Sequence, residues 1–187
     1  MAIKLTNGDF LVKAGLTGGK DEILLTTAYG QSIRFKESDV RSMGRSASGV
    51  TGIRLGEKDD WVVGMVIISK LDAAGNLVVV SEKGYGKKTS LNEYKTQNRG
   101  GSGILTYKTT EKTGKLIYAQ GQAKDSINDA LIATSSGKII RLALDEIPQI
   151  GRNTQGVHLI KLNDDDKVTS VAFVEEEPAN GNSEEKQ

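Results

Sequence analysis

One spacing constrains this chain more than any other. Gly30, Gly84 and Gly137 lie 54 and 53 residues apart, and Arg45, Arg99, Arg152 and Gly49, Gly103, Gly156 keep the same steps. Self-similarity at such a period marks a stacked or radial array of small units, none of which can bury its apolar faces alone. Two strand positions repeat a cation with it: Arg34, Lys88, Arg141, and Arg54, Lys108, Lys161. A charge copied at one structural position becomes a belt of positive charge, and the common polyanionic partner of such a belt is nucleic acid.

The middle unit shows the pattern of each. Leu77-Val78-Val79-Val80 is a β-branched apolar run, Glu82 to Gly86 a turn, and Lys87-Lys88-Thr89 a return strand. A loop from Ser90 to Ser102 follows, then a third strand over 103–108 and a fourth over 115–119. Alternation, β-branching and glycine punctuation all favour strands. The first unit repeats this from Ile23-Leu24-Leu25 to the run 61–68, and the third from Ala130-Leu131-Ile132-Ala133 to 168–174. Ile3-Lys4-Leu5 mirrors Ile53-Arg54-Leu55, and Phe10-Leu11-Val12 mirrors a fourth strand. The expected organisation is the end of a preceding blade over 1–15, blades over 16–69, 70–122 and 123–174, and an acidic disordered tail over 175–187. Four short strands per repeated unit predict an all-β, propeller-like array, partial because a closed ring needs more units than these.

Composition agrees. The 187 residues include 22 Gly and only 2 Pro, which suits short strands and tight turns. No apolar run approaches the roughly 18 residues that a membrane span takes. The N-terminus has no apolar signal core, and cysteine is absent, so disulfides and Cys-ligated zinc are excluded and a cytoplasmic location is expected. The formal charge of +1 hides an asymmetry: without residues 175–187 the chain has 24 basic and 19 acidic residues, a net of +5. An acidic tail on a basic body either competes for the basic surface or only aids solubility.

The long loops 36–48, 90–102 and 143–155 each carry an acid and an apolar residue early, then an Arg four residues before a Gly. Two readings of Arg45, Arg99 and Arg152 stay open: a structural staple to loop carbonyls or the loop acid, and a contact to DNA phosphate. The strand rows favour phosphate. Arg34 lies between Ile33 and Phe35, and Arg54 between Ile53 and Leu55, so period-2 alternation turns the cation outward. Lys4 extends the second row. Aromatics are sparse and no basic recognition helix is present, so binding is expected to follow backbone charge and shape with little base reading.

No active site can be assembled. The sole histidine, His158, sits in an apolar strand and reads as a tolerated strand residue. Asn163-Asp164-Asp165-Asp166 lacks the spacing and distal Glu of a calcium loop, and Gly86-Lys87-Lys88-Thr89 lacks the upstream Gly and the following helix of a phosphate loop. Neither metal nor cofactor is expected.

Three segments in order, Arg41-Ser-Met-Gly-Arg-Ser-Ala-Ser-Gly-Val50, Lys83-Gly-Tyr-Gly-Lys-Lys-Thr89 and Ile150-Gly-Arg-Asn-Thr-Gln-Gly-Val157, resemble the C-terminal domain of bacterial DNA gyrase A. The resemblance covers nearly the whole chain. It implies the last three blades of a six-bladed β-pinwheel that binds double-stranded DNA along its rim and wraps it. It also implies partnership with the remainder of gyrase A and with gyrase B, in an ATP-dependent type II topoisomerase that introduces negative supercoils. The family's hallmark box has only an echo here, Gln97-Asn-Arg-Gly-Gly-Ser-Gly103, with two cations missing. The catalytic tyrosine and ATPase site belong to regions absent from this sequence, so neither DNA cleavage nor ATP hydrolysis is expected of it. The topoisomerase IV counterpart of gyrase A is the near alternative, and a propeller-like protein-interaction scaffold the alternative of another class.

Overall fold

Leu77, Val78, Val79 and Val80 follow one another without a polar residue, and all four are buried. A strand with one wet face alternates, whereas one covered on both faces reads as a continuous apolar run. Leu77 and Val79 pack into a core shared with Leu24 and Val66 of the first unit, while Val78 and Val80 pack with Ala130 and Ile132 of the third. The middle sheet is therefore the filling between two others. A further core, Ile23, Ile33, Phe35 and Ile53, lies within the first unit.

The computed structural model describes residues 3–69, 74–124, 126 and 128–175. The acidic stretch 176–187 and the side chain of Glu175, expected to be a disordered tail, lie outside the described residues. Strands β1 (Glu22–Thr27), β2 (Gln31–Lys36) and β3 (Val62–Ile68) come from the first unit. β4 (Asn76–Ser81), β5 (Tyr85–Ser90), β6 (Ile104–Leu105) and β7 (Leu116–Gln122) come from the second. β8 (Asn128–Thr134), β9 (Ile139–Ala143), β10 (Val157–His158) and β11 (Val168–Glu175) come from the third. All the pairings between these strands are antiparallel. The all-β expectation holds.

The sheets do not follow the sequence units. Their orders are β3-β1-β2-β6, β10-β5-β4-β7 and β11-β8-β9. β6 of the second unit thus completes the first sheet, and β10 of the third completes the second. Each of these four-stranded sheets is thus built from three strands of one unit and one strand of the next. The long loop carries the chain across to its neighbour, and the repeated glycine makes the landing possible. Gly103 has φ +73°, and a Cβ there would sit 2.5 Å from the Ser32 carbonyl oxygen; Gly156 has φ +73° and the same conflict with Gly86 at 2.6 Å.

Two other strand expectations fail. Residues 3–20 form no strand, and Phe10, Leu11, Val12 and Leu16 are exposed. Residues 50–55 likewise form none. The equivalents of 50–51 become strand only where they meet β2 or β5 of a preceding unit, and no described strand stands in that place for the first unit.

Candidate nucleic-acid interface

Two of the three cations in the first row, Arg34 and Lys88, face the junctions and not solvent. Arg34 in β2 keeps only 11% of its side chain exposed and is ion-paired to Glu22. Its Nη1 donates to the carbonyls of Leu91 and Tyr94 at 2.9 and 3.3 Å, both in the loop of the second unit. Burial pushes the Glu22 carboxyl up, but hydrogen bonds from Thr96 and Arg34 outweigh it and leave it below its ordinary value. Lys88 is 10% exposed and lies 3.9 Å from Asp145 of the third unit's loop. The backbone explains both: the crossing loop bridges Arg34 at Thr96 and Lys88 at Gln149, so it passes over each cation. The expected outward orientation of Arg34 and Lys88 is therefore wrong. Alternation gives one wet face only where one face is wet, and here the next unit covers it. Arg141, the third member, is 57% exposed and paired with Asp129, because no described loop crosses it.

The loop arginines follow the same logic. Arg99 donates through Nε to the Asp39 carbonyl at 2.9 Å and through Nη1 to the Thr51 carbonyl. Arg152 donates through Nη1 to the Leu105 carbonyl at 2.9 Å and has Nε 3.9 Å from the Glu93 carboxylate. Thr51 and Leu105 hold equivalent places in the repeat, as do Asp39 and Glu93. Each arginine thus staples its loop to the preceding unit. Arg45 is exposed, with no preceding described loop to grip.

The second row is the one left to solvent. Arg54, Lys108 and Lys161 are all exposed, and so is Lys4. For Arg54 and Lys108 the next unit ties down the backbone and leaves the side chain exposed: Arg54 N–H donates to the Gly101 carbonyl at 2.8 Å and Lys108 N–H to the Thr154 carbonyl at 3.0 Å. Exposed cations at equivalent positions of successive units can each neutralise a phosphate of one duplex.

Two lysines escaped the sequence reading. Lys87 is fully buried, at a place where the other units carry Ile33 and Ile140. Its Nζ donates to the Gly151 and Arg152 carbonyls and to Thr154 Oγ1. Burial, with Arg152 nearby and Glu93 opposing, pulls its pKa down to about 8. Lys115 is paired with Asp59, with its Nζ 4.4 Å from the Tyr29 ring centroid and 5.3 Å from that of Trp61. Its hydrogen bond to Asp59 holds it above the usual lysine range. The signal for Lys87 was present as a cation in an isoleucine column of the repeat.

Among the described residues, no cluster of His, Cys, Asp or Glu can hold a metal ion, and no helix is long and apolar enough to cross a membrane. Asp166 is held well below the usual carboxylate range by hydrogen bonds led by the Ser136 hydroxyl, so it closes a turn.

A family model described as DNA gyrase C-terminal domain, beta-propeller, matches residues 21–69, 75–120 and 128–175. DNA gyrase A of Staphylococcus aureus is 41% identical over 187 residues, all of this chain and 21% of that protein. The chain thus spans about a fifth of the length of the curated relatives it matches. A solved DNA gyrase A C-terminal domain superposes with a TM-score of 0.78 at 25% identity, over 92% of this chain and 57% of that one. The C-terminal domain of DNA topoisomerase IV superposes with a TM-score of 0.83 at 26% identity, over 93% of this chain and 53% of that one.

Proposed function

The chain belongs to the family of DNA gyrase C-terminal domains, and from that premise we propose that it binds double-stranded DNA and bends it along its exposed cations, as part of a gyrase A protein. The observation that carries the reading is the row Arg54, Lys108 and Lys161, each exposed at the same place in its unit. Lys4, Arg45 and Arg141, also exposed, add charge to it. Such contacts grip phosphate and carry no sequence information, so the readout is of shape. Bending a 20–30 bp site by 40–90° costs about 1–6 kcal/mol, which several phosphate contacts offset. In the whole enzyme the bent duplex is presented as a crossing of defined handedness, with the rest of gyrase A and gyrase B as partners. The cytoplasm is the compartment in which that DNA lies. The structural likeness to topoisomerase IV is slightly larger, and the 41% identity to gyrase A favours gyrase.

The test is duplex affinity against salt. Each lost phosphate contact lowers the slope of log K on log salt by about 0.9. The triple variant R54E, K108E, K161E is expected to flatten the slope by about 3 on that rule. Binding that ignores salt, or an unchanged slope in the triple variant, overturns the reading and favours a protein-interaction scaffold.

A further inference from the structure

The two junctions between neighbouring units share one frame but are filled differently. At the first, Gln31 of β2 stands opposite Leu105 of β6; at the second, Tyr85 of β5 stands opposite His158 of β10. These are equivalent places in the repeat. An amide and an aliphatic side chain suffice to close the first junction, so the frame does not require two rings at the second. The ring centroids of Tyr85 and His158 lie 3.9 Å apart, with planes tilted by 37°. Tyr85 is buried beneath, while His158 is exposed.

The pair lines an open cleft of about 650 Å³. Lys83 enters it from the β4–β5 turn, Lys112 from the loop before β7, and Lys161 and Lys167 from the segment before β11. Lys112 Nζ lies 5.8 Å from the Tyr85 ring centroid. Lys83 donates to the Glu111 carbonyl, which leaves its charge in place. Of the four, among the described residues, only Lys167 meets a carboxylate, that of Glu82 at 3.4 Å. Asp164 and Asp166 also border the cleft and keep their charge, Asp166 while accepting from the Ser135 and Ser136 hydroxyls, so the four ammonium groups outnumber the carboxylates on this lining.

Ammonium groups gathered beside an exposed aromatic ring are complementary to phosphate and a planar base in one ligand. A base paired within a duplex cannot present its face. We propose that this cleft binds a single nucleotide unit with an unpaired base, its phosphates on Lys83, Lys112 and Lys161 and its base against the His158 ring. The source is either a free nucleoside polyphosphate or an unpaired nucleotide of a strand. Only Lys161 is shared with the duplex-binding row, so the proposal does not rest on that reading.

The experiment uses the sole histidine as its own reporter. The 187-residue chain is titrated with ATP, inorganic tripolyphosphate, a single-stranded oligonucleotide and a duplex, while the His158 ring resonances are followed by NMR. ATP or the single strand is expected to move these resonances saturably, and the one that does so names the source. When the source is free nucleotide, tripolyphosphate binds at least about fivefold more weakly than ATP, the share expected of stacking. His158→Leu, which installs the residue found at 105, removes that stacking share and leaves duplex affinity unchanged. Lys112→Ala, at an exposed loop residue, weakens the same ligand independently. Equal binding of ATP and tripolyphosphate together with a single strand that leaves the ring unmoved overturns the proposal, as does no saturable shift with any ligand. Loss of salt-dependent duplex affinity with the His158 shifts intact would instead count against the DNA-bending function.

Discussion

The Lys87 ammonium sits 2.7 Å from the carbonyl oxygen of Gly151, across the junction between the second and third units. A buried cation is tolerated there because the crossing loop offers it oxygens, yet burial still lowers its pKa to about 8, against 10.5 for a free side chain. The folded chain thus binds fewer protons than the unfolded chain between those two values, and the stability it contributes rises with pH across that window. Relative to Lys87→Ile, the wild type is expected to gain on the order of 3 kcal/mol between pH 7 and pH 10.5. Urea midpoints of both proteins, measured at half-unit steps, check it, and parallel curves would exclude the linkage.

The repeated turn glycines separate two costs that usually come together. Gly84 and Gly137 share a positive φ, +76° and +80°, but only Gly84 faces the next unit, where a Cβ would meet the Ile160 carbonyl oxygen at 2.7 Å. Gly137→Ala pays the left-handed backbone cost alone, about 1–2 kcal/mol. Gly84→Ala adds a steric conflict with backbone and is expected to lose about 3 kcal/mol or more. Thermal or urea unfolding of the two variants gives the comparison directly.

Arg99 and Arg45 form a similar pair. Arg99 grips two carbonyls of the preceding unit, whereas Arg45 is exposed. Arg99→Ala is expected to cost about 1–2 kcal/mol, in the range of a hydrogen bond from a charged group, and Arg45→Ala less than about 0.5 kcal/mol. Equal losses would mean that the staple contributes nothing.

Much of this was legible in the sequence because the repeat must satisfy geometry in every copy. The glycine columns mark turns and close approaches, and the arginine column offered the staple as one of two open readings, which the structure shows for Arg99 and Arg152. The exchange of strands was not legible, since Ile104-Leu105 carries the same β-branched and apolar character whichever sheet receives it. The orientation of Arg34 and Lys88 was misread for a related reason. Period-2 alternation places a residue on a face but does not say what covers that face, and here a loop of the next unit does. Lys87 was readable only by comparing columns, as a charge where the neighbours carry Ile33 and Ile140.

Enclosure divides the recurring cations into those that hold junctions together and those left free to meet a phosphate. Lys88 and Lys108 both belong to the second unit, both recur through the array, and both were expected to meet DNA. Lys88 is enclosed beside Asp145, and an ammonium held there cannot reach a phosphate without opening the junction. Lys108 is exposed on a backbone fixed by Thr154. Lys108→Met is therefore expected to reduce the salt slope of duplex binding by about 0.9 with stability changed by less than about 0.5 kcal/mol. Lys88→Met is expected to leave the slope unchanged and to act on stability alone. Fluorescence anisotropy at four or more salt concentrations, paired with urea unfolding of each variant, resolves the two. A flattened slope in Lys88→Met would place the phosphate path through the junctions and not along the exposed row.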